Sequence, residues 1–161
     1  MWDAPFTAPD QTIEPDWIDY NGHLNMAFYN VLFDRCVDCV YDELGVGVAY
    51  VNEGGGSCFT LQVHLNYLSE ISLADPVSVT LQLIDYDEKR LHYFQTMTNQ
   101  TTGELAATSE NLAIHVDMQT RRSAPFPAGI LERIEALHDA HANLPDPEQL
   151  GRSIGIRKKT G

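Results

Sequence analysis

From Met26 to Leu44 apolar side chains recur at helical spacing on more than one face, and this run limits the folds open to the chain. Phe28, Val31, Leu32, Cys36, Cys39, Val40 and Leu44 form one stripe, which Ala27, Tyr29, Phe33 and Val37 widen. A helix that is apolar over most of its circumference is stable only when enclosed. Asn25 is suited to cap its start and Gly45 to end it in a left-handed turn. The predicted rod is roughly 28 Å long, enough to cross a whole sheet.

After Gly45 the pattern changes. A glycine-rich connector ends in Gly54-Gly55-Gly56, lacks a phosphate-loop lysine, and reads as a flexible link. Beyond it the period becomes two. Phe59, Leu61, Val63, Leu65 and Tyr67 alternate with Thr60, Gln62, His64 and Asn66, which predicts a half-buried strand. Val77, Val79, Leu81 and Leu83 repeat the pattern after Asp75-Pro76. Turns at 85–89 and at Thr102-Gly103 separate further strands over 91–98 and 105–116, and Pro125 and Pro127 end the sheet. Residues 128–142 predict a surface helix with Ile130, Leu131, Ile134 and Leu137 on one face. Pro5, Pro9 and Pro15 keep residues 1–18 extended or irregular. The expectation is an α+β fold in which a meander of four long antiparallel strands wraps around one buried helix. One domain over 1–144 is followed by a polar, mobile tail over 145–161.

Composition narrows the function. The chain has 161 residues and a net charge of −13, which opposes phosphate-driven nucleic-acid binding. No apolar run is long enough to span a membrane. Met-Trp-Asp-Ala-Pro is not a basic-then-apolar leader, so a cytoplasmic location is expected. Cys36 and Cys39 fit C-x-x-C, but mid-helix and without a second pair they read as packed, reduced thiols. No G-x-S-x-G elbow is present. His115-Val116-Asp117 and His138 with His141 are weak metal candidates, so neither metal nor cofactor is expected. The basic residues cluster at Lys89-Arg90, Arg121-Arg122 and Arg157-Lys158-Lys159, where they can close turns or meet phosphates.

The chemistry concentrates just before the long helix. Asp19-Tyr20-Asn21-Gly22-His23-Leu24-Asn25 sets a carboxylate, an imidazole and two carboxamides at every second position. A helix start needs only one capping side chain, whereas a hydrolytic site at a helix N-terminus would use them all. Asp19 can act as a nucleophile or as a general base on water; both remain open. The N–H near Met26, at the positive end of the helix dipole, is a candidate oxyanion donor. Asn25 is equally a cap, Asn21 an Asx turn and Gly22 a sharp-turn residue.

The string W-I-D-Y-N-G-H-L-N closely resembles the signature of hot-dog-fold acyl-CoA thioesterases of the 4-hydroxybenzoyl-CoA thioesterase-like group. With L-Q-V-H-L-N-Y-L-S-E, D-Y-D-E-K-R-L-H and H-V-D-M-Q-T-R-R-S-A-P-F-P, almost the whole chain resembles the betainyl-CoA thioesterases of carnitine degradation. The resemblance implies a hot-dog fold, assembly as a homodimer or homotetramer, and hydrolysis of betainyl-CoA to betaine and free CoA. It places Asp19, Asn21, His23, Asn25 and the Met26 N–H in catalysis. Betainyl-CoA carries a quaternary ammonium, which aromatic faces attract, so Trp17, Tyr20 and Tyr67 become substrate-side candidates beside Gly22. His64 would approach from a partner subunit, and Lys89, Arg90, Arg121 and Arg122 would meet CoA phosphates. Three rival readings stand beside this one, the first a hot-dog thioesterase acting on another short or aromatic acyl-CoA. A hot-dog enoyl-CoA hydratase would show D-x-N-P-x-H, a spacing this chain lacks. A non-catalytic acyl-CoA-binding module would have no need of Asp19 and His23.

Overall fold

The Asn25 carboxamide starts the central helix as its sequence predicts: Oδ1 accepts from the Ala27 N–H, and α1 runs Met26–Leu44. Gly45 ends it at φ 81°, a conformation that costs glycine little. The computed structural model describes residues 1–156, so the Arg157-Lys158-Lys159 cluster lies outside the described residues. The other elements are β1 (Phe6–Thr7), a short helix α2 (Val48–Asn52), β2 (Gly56–Tyr67), β3 (Val77–Tyr86), β4 (Arg90–Asn99), β5 (Leu105–Asp117), β6 (Arg122–Ser123) and α3 (Ala128–His141). A single 3-10 turn, Pro15–Trp17, interrupts the irregular N-terminal segment, with Pro15 in its first turn.

Tyr29, Leu32, Phe33, Cys36, Val37, Val40 and Leu44 of α1 are buried against the sheet. Burying each large apolar side chain contributes about 1.5–3 kcal/mol, so this one face fixes the helix on the sheet. The opposite face carries Asn30, Asp34, Asp38 and Asp42 and is exposed, and Ala27 and Val31 are exposed with it. The helix is therefore enclosed on one side only within a single chain. Two glutamines hold it lengthwise: Gln11 Nε2 donates to Leu32 O and Gln95 Nε2 to Phe33 O, both at 2.9 Å. Gln95 is itself held by Asn111, whose amide also donates to Ser109 Oγ. Gln95 and Asn111 thus satisfy each other, which removes most of their desolvation penalty, whereas the buried Gln11 Oε1 has no partner among the described residues.

The sheet order is β1-β3-β4-β5-β2, with β6 paired to β5. The four long strands are therefore not a simple meander. β2 pairs with β5, and residues 68–76 cross from the β2 edge of the sheet past β5 and β4 to β3. The crossing is anchored by the Leu68 and Ser69 N–H groups donating to Ala106 O, and by Leu24 N–H donating to Ile71 O. It consequently passes the N-terminal end of α1.

The strict alternation expected of β2 also fails. A bulge between Thr60 and Gln62 inserts Leu61 and flips the faces. Cys58 and Thr60 pair with His115 and Ala113, whereas Val63, Leu65 and Tyr67 pair with Asn111, Ser109 and Ala107 on that same face. As an edge strand, β2 leaves Phe59, Leu61 and Val63 at 38%, 52% and 42% exposure.

The glycine-rich connector is tightly seated rather than slack. A Cβ at Gly55 would overlap the Tyr50 ring, and one at Gly56 would overlap His115 and the Val116 carbonyl. Within the stretch expected as a mobile tail, residues 145–151 are laid on the outer face of the sheet, while Ile154 and Ile156 remain 93% and 94% exposed. On that face the Gly151 N–H donates to Glu110 Oε2 at 2.8 Å, and Gln149 is buried. The result is the expected hot-dog arrangement, a long antiparallel sheet around one central helix.

Candidate active site

Asp19 sits on a tight loop closed by the Ile18–Leu24 bridge and by the Asn25 N–H donating to Trp17 O at 2.9 Å. Within it Asp19 N–H donates to His23 O and Gly22 N–H to Asp19 O, which needs the positive φ of 82° at Gly22. The Asp19 carboxylate is held at both oxygens. Oδ1 accepts from the Asn21 N–H at 2.8 Å, and Oδ2 accepts from Asn25 Nδ2 at 3.3 Å. Asn25 thus caps α1 with its oxygen and orients the carboxylate with its nitrogen.

Phe28 N–H is satisfied by Asn25 O and Ala27 N–H by Asn25 Oδ1, leaving the Met26 N–H without a partner among the described residues. It is a free donor beside a held carboxylate, at the end of the helix where the dipole favours negative charge. His23 Nδ1 lies 3.2 Å from Leu24 O. A carbonyl only accepts, so Nδ1 carries the proton in that contact and Nε2 is left to exchange one. Tyr67 reaches over from β2, its hydroxyl donating to Met26 O at 3.0 Å and its ring edge-on to Tyr29. Burial above all, and then the charge of Glu70, push the Tyr29 hydroxyl pKa up, so both tyrosines act here as neutral groups.

The structure therefore gathers Asp19, Asn21, Gly22, His23, Asn25, Met26 and Tyr67. Asn21 contributes its backbone N–H, with its side chain exposed. Other expected residues lie elsewhere. Trp17 is 7% exposed, stacked on Phe28 with the Arg35 guanidinium over its ring, so its faces are already engaged beneath the loop. Tyr20 is 97% exposed on the loop tip. His64 faces a cavity of about 510 Å³ on the outer side of the sheet, beside His92, Glu110 and Arg152.

Arg90 pairs with Asp87 and lies opposite Ile114, while the Arg121 guanidinium covers the Phe59 ring. Lys89 and Arg122 adjoin them, and all four occupy the end of β2 remote from Tyr67, about 26 Å along the strand. Glu110, which interrupts the even face of β5, is satisfied by His92 and the Gly151 N–H. Glu70 and Tyr29 at the site were not singled out by sequence. Glu70 stands three residues after Tyr67 in L-N-Y-L-S-E, and only the crossover brings it to His23. Among the described residues no cluster of three metal-ligating side chains occurs, and no helix is long and apolar enough to cross a membrane.

Residues 13–134 match the family model of the thioesterase-like superfamily. The chain belongs to that superfamily. Betainyl-CoA thioesterase of Pseudomonas aeruginosa is 40% identical over 150 residues, covering 93% of this chain and 94% of that protein. The L-carnitine dehydrogenase/betainyl-CoA thioesterase of Rhizobium meliloti is 34% identical over 155 residues. The match takes in 96% of this chain but 31% of that longer protein. Among solved structures, SAV2348 of Staphylococcus aureus in complex with CoA superposes with a TM-score of 0.89 at 37% identity, covering 98% of each chain. For a thioesterase of this fold, a carboxylate held by the residue that caps a helix with a free first N–H is an arrangement able to cleave an acyl–sulfur bond.

Proposed function

We propose that this thioesterase hydrolyses betainyl-CoA to betaine and free CoA, in the cytoplasm and as a homodimer. One observation carries the reading: the Asn25 carboxamide joins the Asp19 carboxylate to the first turn of α1, where the Met26 N–H is free. A thioester carbonyl oxygen directed at that N–H gains a donor as it becomes anionic, an interaction worth roughly 3–4 kcal/mol in such sites. Asp19 then either attacks the carbonyl carbon or takes a proton from an attacking water. In both routes a carbon–oxygen bond forms, the carbon–sulfur bond breaks, and the thiolate leaves to be protonated. That proton comes from His23 when its Nε2 is protonated, and otherwise from water. When Asp19 itself attacks, water then hydrolyses the resulting anhydride to free the acid and restore the carboxylate. The relatives' shared substrate name supports betainyl-CoA, and the CoA in the staphylococcal structure supports the carrier.

The exposed row on β2 supports the dimer, because an apolar edge strand of this length is a liability unless covered. Antiparallel pairing about Val63 would set Phe59 of one copy opposite Tyr67 of the other. The Arg121 cluster of the second copy would then approach the Asp19 site of the first, which accounts for basic residues so far from Asp19 within one chain.

The test is thiol release from a panel of acyl-CoAs by wild type and Asp19→Asn. Wild type releases thiol from betainyl-CoA. The variant loses 10²-fold or more of the rate, as expected on removing a general base or nucleophile, with its melting temperature kept. No release from any thioester, with crotonyl-CoA hydrated instead, would establish a hydratase.

A further inference from the structure

The crossover from β2 to β3 brings a second carboxylate to the site, one the hydrolytic steps do not use. Ser69 N–H is fixed to Ala106 O and Ile71 O to Leu24 N–H, so the backbone on both sides of Glu70 is pinned beside the Asp19 loop. Glu70 Oε1 lies 3.8 Å from His23 Nε2, and no Lys or Arg pairs with it among the described residues. Its charge is felt by Tyr29, which supports the Tyr67 ring edge-on at 5.1 Å, and Tyr67 is anchored on Met26 O. His23 Nδ1 is directed at Leu24 O, so Nε2 is the ring atom that meets this carboxylate.

We infer that Glu70, together with the exposed face of Tyr67, selects acyl groups bearing a permanent positive charge next to the thioester. The inference rests on the betainyl-CoA reading and deepens it. A quaternary ammonium has no N–H to donate, so the only forces able to recognise it are charge and an aromatic face. In a betainyl thioester that charge is one methylene from the carbonyl carbon. The group that recognises it must therefore flank the oxyanion donor itself. Tyr67 does so through Met26 O, and Glu70, with 78% of its side chain exposed, lies beside His23 of the same loop. Asp19 cannot serve both ends of so short an acyl group while it is directed at the carbonyl. Glu70 is a specificity residue: it sets which acyl group binds and takes no part in bond breaking.

The experiment compares betainyl-CoA with its uncharged carbon isostere, 3,3-dimethylbutanoyl-CoA, on wild type, Glu70→Gln and Glu70→Asp. Glu70→Gln is expected to lower kcat/KM for betainyl-CoA about two- to fivefold, chiefly through KM, the scale of a solvent-screened charge pair. The isostere is cleaved as by wild type, which also shows that the variant is folded. Glu70→Asp retains an intermediate preference. An unchanged charged-to-neutral ratio in Glu70→Gln overturns the role of Glu70 and leaves the substrate standing. Wild type that cleaves the isostere but not betainyl-CoA overturns the substrate, and the role of Glu70 with it.

Discussion

Replacing Asn25 by serine and by alanine separates its two jobs. The side chain caps α1 through Oδ1 to the Ala27 N–H at 3.0 Å and holds Asp19 through Nδ2 at 3.3 Å. Loss of an N-cap costs about 1 kcal/mol, which in a domain of this size lowers Tm by about 2–4 °C. Alanine loses both contacts. Serine ranks with asparagine as a cap, so Asn25→Ser should stay close to the wild-type Tm. Its short hydroxyl cannot span to the Asp19 carboxylate, however. A hydrogen bond to a charged group contributes about 1.5–3 kcal/mol, so both variants should lose roughly 10- to 100-fold in kcat/KM. Thermal melting and thiol release on the same preparations give the two readouts. If Asn25→Ser recovers activity together with Tm, the contact to Asp19 does nothing in the reaction and the orienting role is wrong.

Three more outcomes follow from particular groups. Burial lowers the His141 pKa below its ordinary value: in the fold Nδ1 accepts from Leu83 N–H and Nε2–H donates to Asp3 O, which holds the ring neutral. Below about pH 6.5 the unfolded chain takes up a proton that the fold resists, so stability is full above that pH and falls as pH falls. Tm should therefore decline from about pH 6.5 to pH 5, with a shallower slope in His141→Asn, and equal slopes would exclude the residue. Burial pushes the Cys36 and Cys58 thiols up to about 12, and that of Cys39 upward. A thiol reagent should therefore titrate the native protein slowly and all three cysteines only on unfolding. Leu61→Lys places a charge on the exposed β2 edge and should halve the mass seen by light scattering; an unchanged mass would move the interface elsewhere.

What the sequence disclosed was what neighbours in the chain decide. Both ends of α1, its Asn25 cap and its Gly45 stop could be read locally, as could the loop from Asp19 to Asn25, whose groups are adjacent. What stayed hidden was set by distant pairing. Nothing in Phe59–Tyr67 says that its neighbour is β5, or that Leu61 is the bulged residue where the alternation breaks. Glu110 stands as a lone carboxylate on the even face of β5, yet its partners, His92 and the Gly151 N–H, come from elements that only the fold brings to it. Glu70 escaped notice because its meaning comes from a crossover whose path sequence periodicity does not encode.

The paired glutamine contacts on consecutive carbonyls of α1, from Gln11 on one side and Gln95 on the other, act as a register lock on the rod. Sliding by a turn would strip both amides at once, so the helix tip keeps a fixed height above the sheet. Motion during turnover then falls to the Asp19 loop and to whatever surface closes over it, while the donor awaiting the carbonyl oxygen stays still.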